Sequence, residues 1–340
     1  MERSHTLENG KRTYPIRNMK VPFEIKDIST YRSELMGCAI VWIMMLHFTF
    51  TQIKPLGFIS QYGFSGVEIF ILVSGLGLYF SLDKNSCIRT FYRRRILRIF
   101  PTYYLLGVPA SIILFNDNFF DYLYRYSTIG FWTNNLYWEW YVPSIVVLYL
   151  LAPFLKKMID KRQMHLIICL AIVIIVISCF VVAKEIVSPK DPHFFLLYRI
   201  PPFMLGMMCA YWMKQNTSIK YFLIILVAGI PCFILLYPHH HEIYNYKYLS
   251  LVFLLPLFII CFTILIKQAR FLRRTLAIIG KSSLETYLIQ AIFFHAIVTE
   301  NIVIEPAWHD TITVTLIIIS SLLGILVHWL IDKSGILRLL

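Results

Sequence analysis

Apolar residues fall along this chain in long, nearly unbroken runs separated by short polar stretches. Many runs reach roughly 20 residues, the length that crosses a ~30 Å hydrocarbon layer as helix. They lie near 34–53, 62–81, 100–115, 141–155, 165–183, 194–212, 219–237, 247–266, 280–299 and 311–331. In lipid every backbone N–H and C=O needs an internal partner, so runs of this length form helices. The pattern predicts an all-α, polytopic membrane protein of about ten transmembrane helices. Residues 1–32 read as a basic tail, 33–332 as one membrane domain, and 333–340 as a second short tail.

Composition strengthens that picture. Of 340 residues, 58% are hydrophobic and 15% charged, and the mean hydropathy is +0.66; a soluble domain carries about a quarter charged residues. The net charge of +13 would suit a nucleic-acid binder, but its placement suits a membrane better. With the polar N-terminal stretch in the cytoplasm, only Lys54, Arg125, Lys184, Lys190 and Lys247 fall in outer segments, and Arg199 lies within a span. The remaining Lys and Arg residues gather on the inner side, which satisfies the positive-inside rule and predicts both termini in the cytoplasm of a cell-membrane protein. Nucleic acid is not an expected partner; membrane lipid is. The seven cysteines form no CxxC pair, so neither a disulfide framework nor a zinc site is expected. His239, His240, His241 and Glu242 are too close in sequence for all to face one ion, and no metal is expected there.

Several polar groups sit at membrane depth, where they are costly and usually face a bundle interior or a water-filled cavity. His47 lies near the outer end of the first span and Glu68 near the outer end of the second. Both are roughly 9 Å into the membrane at 1.5 Å per residue. Neighbouring antiparallel helices could bring them together, and a carboxylate beside an imidazole makes a general base for a hydroxyl. On the inner side, Arg94 and Arg98 share a helical face, with Arg95 and Arg98 as the alternative pair. Guanidinium forks in a row suit phosphate groups. Arg199 can bind an anionic acceptor or pair with a carboxylate. Trp132, Trp138 and Trp140 read first as interface anchors, with sugar stacking as the other reading.

These pieces, in order, resemble the membrane-bound acyltransferase 3 family, whose members O-acylate surface polysaccharides, cell-wall glycans and antibiotics. The resemblance rests on Gly37 with His47 ten residues later, Gly66-Val67-Glu68-Ile69-Phe70 running into Ser74-Gly75, and Tyr92-Arg93-Arg94-Arg95-Ile96-Leu97-Arg98-Ile99-Phe100-Pro101. Trp140-Tyr141-Val142-Pro143, Arg199-Ile200-Pro201 through Gly206, and Gly280 through Glu285, Tyr287 and Leu288 complete it. It implies acetyl-CoA or another acyl-CoA as donor, bound from the cytoplasm, and the membrane histidine as catalytic centre.

Two positions depart from the family pattern. Met36 stands where an arginine usually precedes the glycine, with Arg32 one turn earlier and within about 40° of the same direction. Gln290 stands where the late helix usually has a histidine, and His295 follows five residues on.

The resulting expectation is an O-acyltransferase acting on a surface or lipid-linked glycan, most simply an O-acetyltransferase. His47 acts as base oriented by Glu68, or as an acyl-carrying relay. Arg32, Arg94, Arg95 and Arg98 hold the donor, while Ser74, Trp140, Arg199, Glu285, Tyr287 and Gln290 line the substrate path. The rival reading is a transporter of a glycan or lipid-linked sugar.

Overall fold

The computed structural model describes residues 23–335 apart from 86, 135–139, 184–195, 217–218, 239–244, 300–301 and 303. His239–Glu242 and Trp138 therefore lie outside the described residues. Among those described, every regular element is helical.

The first two elements are α1 (Ile25–Thr30) and α2 (Arg32–Phe48), followed by α3 (Lys54–Ser60), α4 (Ser65–Lys84) and α5 (Ile88–Ala110). Two short helices, α6 (Phe119–Tyr126) and α7 (Ile129–Asn134), lead into α8 (Tyr141–Asp160) and α9 (Met164–Ala183). Then come α10 (Ile200–Lys214), α11 (Lys220–Leu236), α12 (Asn245–Phe253) and α13 (Leu255–Gln268). The chain closes with α14 (Arg273–Lys281), α15 (Ser283–Thr299) and α16 (Pro306–Lys333).

Among the described residues, four helical stretches are long and apolar enough to cross a membrane: α4, α5 with its π-helical continuation Ser111–Phe115, α8 and α16. A fifth is added if α13 and the helix through Lys281 count as one broken span, bent by 94°. Shorter apolar stretches, Met164–Cys179, Lys220–Leu236 and Ser283–Val298, accompany them. The expected run 247–266 is two helices that meet at Leu254, where Pro256 follows at the start of α13. Proline lacks the N–H that a continuous helix would use there. The expected run 100–115 is longer than its apolar core, since the helix begins at Ile88 and carries the arginines on its first turns.

Residues 23–31, part of the expected tail, pack on the bundle. Phe23 stacks on Phe222 of α11 at 5.8 Å, and the Lys267 ammonium donates to Asp27 at 2.6 Å.

α4 is the centre of the bundle, with 83% of its apolar window buried by neighbouring helices. Its contact with α10 depends on two glycines. A Cβ at Gly206 would overlap the Leu72 carbonyl, and one at Gly75 the Phe203 carbonyl. Without side chains at these points the two backbones approach closely, as helices in lipid do where packing replaces the hydrophobic drive. The approach carries Arg199, the residue immediately before α10, onto the Glu68 face of α4.

Candidate active site

His47 sits on the last turn of α2. Its Nδ1 lies 2.7 Å from Gln290 Oε1 of α15. An amide oxygen only accepts, so Nδ1 carries a proton, and in the neutral ring Nε2 keeps its lone pair. The ring stacks on Phe294, one turn beyond Gln290, with centroids 4.7 Å apart. Hydrogen bond and stacking together fix both the tautomer and the plane of the imidazole.

The expected pairing of Glu68 with His47 is not what the structure holds. Glu68 Oε1 faces Arg199 Nε at 3.6 Å, with both side chains almost fully buried. Rotation about the helix axis decides this. The two groups share a depth, but α4 turns Glu68 toward α10. Arg199 also lies over Trp140 and Tyr198, 3.8 and 4.2 Å from their ring centroids. Of its two expected roles, the carboxylate partnership is the one seen. The position that departs from the family pattern, Gln290, orients His47 in place of a carboxylate.

Three cavities bear on His47. The first, of about 370 Å³, is lined by Arg32, Met36, Ser74, Arg95, Arg98, Lys281 and Tyr287 among others. The second is small, about 30 Å³, and is lined by His47, Val67, Trp140, Arg199 and Tyr287. The third, about 220 Å³, opens beyond the end of α2, where His47, Thr49, Phe294, His309 and Thr313 line it. Tyr287 is thus common to the basic cavity and the small one, and His47 to the small one and the far one. The basic cavity lies at the Arg32 end of α2, with His47 about 22 Å along the helix from there.

The arginines divide. Arg95 donates to Ser81 Oγ at 2.8 Å, and Arg98 to the Lys281 carbonyl at 3.0 Å, which aims both at the cavity. Arg94, 100° round the helix from Arg95, is not part of the lining. Arg95 and Arg98 are the pair that shares this face. Arg32 and Met36 both line the cavity, and the Arg32 guanidinium packs over Gly77 of α4, where a Cβ would crowd it. Arg32 therefore reaches the space into which a residue at position 36 points. Ser74 and Tyr287 line the cavity as well. Glu285, fully buried, stands 3.8 Å behind Arg98.

Three further residues carried no motif. Asp310, at the start of α16, accepts from the backbone N–H groups of Thr51, Gln52 and Ile53 at 2.8–3.3 Å, and Thr313 donates to the carbonyls of Phe48 and Thr49 at 2.9 and 2.7 Å. These bonds tie down the loop that leaves His47, including Thr49 at a φ of 53°. His328, on the last turns of α16, lines the basic cavity. Only its depth, near the end of an apolar run, could have marked it.

A family model described as an acyltransferase domain matches residues 35–331. The chain belongs to the acyltransferase 3 family. A relative named "Putative acetyltransferase ORF330", from Acidianus two-tailed virus, is 29% identical over 208 residues. The match covers 55% of this chain and 59% of that relative, so the chain spans somewhat over half the length of the curated relative it matches. No solved structure matches the chain. Family and apolar helices together place this acyltransferase family member in a membrane.

Proposed function

We propose that this family member is an integral membrane O-acyltransferase that moves an acyl group, most simply acetyl, from acyl-CoA to a hydroxyl of a surface or lipid-linked glycan. The observation that carries the proposal is the placement of His47, an oriented imidazole between an arginine-lined cavity and a second cavity at the opposite end of the bundle. The donor enters the basic cavity from the cytoplasm. Arg32, Arg95 and Arg98 take its phosphates, and the thioester end extends past Ser74 and Tyr287 toward His47. The acceptor reaches His47 from the far cavity, and Trp140 and Arg199 wall the small cavity on the other side of the ring. Nε2 removes the hydroxyl proton while the oxygen attacks the thioester carbonyl. The C–S bond then breaks, and the departing thiolate takes the proton back from the imidazolium. Neutral imidazole is competent for this step without a carboxylate partner.

The test is release of CoA thiol by the purified protein in detergent, supplied with acetyl-CoA and an extract of cell-envelope glycan. Thiol release that requires the extract, with label appearing on the glycan, is the expected result. Glycan movement into vesicles with no donor consumed would establish the transporter reading instead. Arg95→Gln is expected to raise the donor KM about tenfold or more, the value of one charge-assisted hydrogen bond, with kcat little changed. Contacts remote from the reacting carbonyl hold ground state and transition state alike. An unchanged KM with slow turnover would remove Arg95 from donor binding.

A further inference from the structure

The basic cavity holds a titratable side chain with no part in the chemistry above. His328 of α16 lines it beside Arg32, Arg95, Arg98 and Lys281. Its Nδ1 stands 3.0 Å from Glu285 Oε1. The same oxygen is 3.4 Å from Thr102 Oγ1 and 3.8 Å from Arg98 Nη1, while Glu285 Oε2 has no hydrogen-bond partner among the described residues. The approach of the two helices is built into the sequence. Gly324, one turn before His328 on the same face of α16, lies so close to Thr286 that a Cβ would overlap the threonine side chain.

A carboxylate at zero exposure is costly unless a cation or hydrogen bonds compensate it. Two cations can serve Glu285. Arg98 is the more distant, and its Nη2 is already given to the Lys281 carbonyl. His328 is the nearer, but its charge depends on a proton. With Nδ1 on the carboxylate, Nε2 is the ring nitrogen left to the cavity, and a protonated ring offers its N–H there.

We propose that His328 is a donor-binding residue, an imidazole braced by Glu285 that takes up a proton as acyl-CoA binds and gives its Nε2–H to a donor phosphate. The inference rests on the donor reading of the basic cavity. The charges around the ring explain why uptake accompanies binding. Glu285 on α15 favours the proton. Arg95 and Arg98 on α5, Arg32 on α2 and Lys281 on α14 oppose it while the cavity holds no anion, and Tyr141, Tyr149 and Tyr287 are neutral. Donor phosphates cancel the four cations and draw Arg98 from Glu285. The protonated ring then keeps the buried carboxylate compensated.

The test uses the full-length protein in detergent and coenzyme A as probe, by titration calorimetry at about pH 6, 7 and 8 in buffers of different ionisation heat. The 3′-phosphate of coenzyme A titrates near pH 6 itself, so the quantity read is the parent-minus-variant difference. The parent is expected to take up about half a proton more than His328→Gln near pH 7. The variant is expected to bind about tenfold more weakly at pH 6, and the gap should narrow toward pH 8. His328→Lys, a permanent cation, should bind well with the variant's proton count, and it serves if the Gln form does not fold. Parental affinity and proton uptake in either variant would overturn the inference while leaving the donor reading intact. A parent that binds no coenzyme A at any pH would overturn the donor reading, and this inference with it.

Discussion

Replacing His47 by alanine is expected to lower acyl transfer by about 10²–10⁴-fold, the usual worth of a positioned general base. Coenzyme A should bind the variant as it binds the parent, because the arginine end of the basic cavity, at Arg32, lies about 22 Å away along α2. Among the described residues, the histidine is the one titratable group that lines both the small cavity and the far one. Gln290→Leu should cause a smaller loss. It removes the 2.7 Å bond that selects the tautomer, but Phe294 still holds the ring plane. Steady-state transfer rates paired with coenzyme A affinities check both. A His47→Ala enzyme within a few-fold of the parental rate would end the assignment of His47 as base.

Arg199→Leu is expected to destabilise the folded protein by about 3–5 kcal/mol, the cost of leaving one member of a buried ion pair behind. Glu68 is 3% exposed and its Oε2 already lacks a hydrogen-bond partner, so the carboxylate has no route to solvent once the guanidinium is gone. The double replacement Arg199→Leu with Glu68→Leu should recover much of the loss, since an apolar pair of similar volume often serves a buried site as well as charges do. Thermal unfolding in detergent measures all three proteins. If Arg199→Leu melts like the parent and only activity falls, the pair belongs to the chemistry rather than to the fold.

Much of this architecture can be read from residue order, and the failures have physical causes. Apolar runs near 141–155, 165–183 and 219–237 coincide closely with α8, α9 and α11, because helix is the only secondary structure an isolated apolar run can adopt in lipid. The start of α5 at Ile88 is hidden by its arginines. Hydropathy falls there although the helix continues, and the spacing of Arg95 and Arg98 on one face is the better guide. The right-angle break after Gln268 is set by where α14 packs on α2, a tertiary matter. Depth alone can pair His47 with a partner on another helix but cannot choose which, since rotation about each axis is free until the helices dock. That is why Glu68 goes to Arg199 and Gln290 to His47. His328 and Asp310 escape notice for a related reason. Each is a single polar residue near a span end, and only the neighbouring helix shows what it serves.

The aromatic residues between the cavities have a consequence for the membrane as an insulator. Tyr141 and Tyr287 pack with centroids 5.3 Å apart, and Phe70 lies 6.2 Å from Tyr141, at the inner limit of the space His47 occupies. A bilayer that stores a voltage discharges through any continuous thread of water. Moving one elementary charge across 100 mV is worth about 2.3 kcal/mol, so even a slow leak dissipates stored work at every passage. On the proposed function, an acyl arm would pass these packed rings, at the place where a thread of water would have to be broken. Tyr287, which lines both the basic and the small cavity, would then serve transfer and insulation at once.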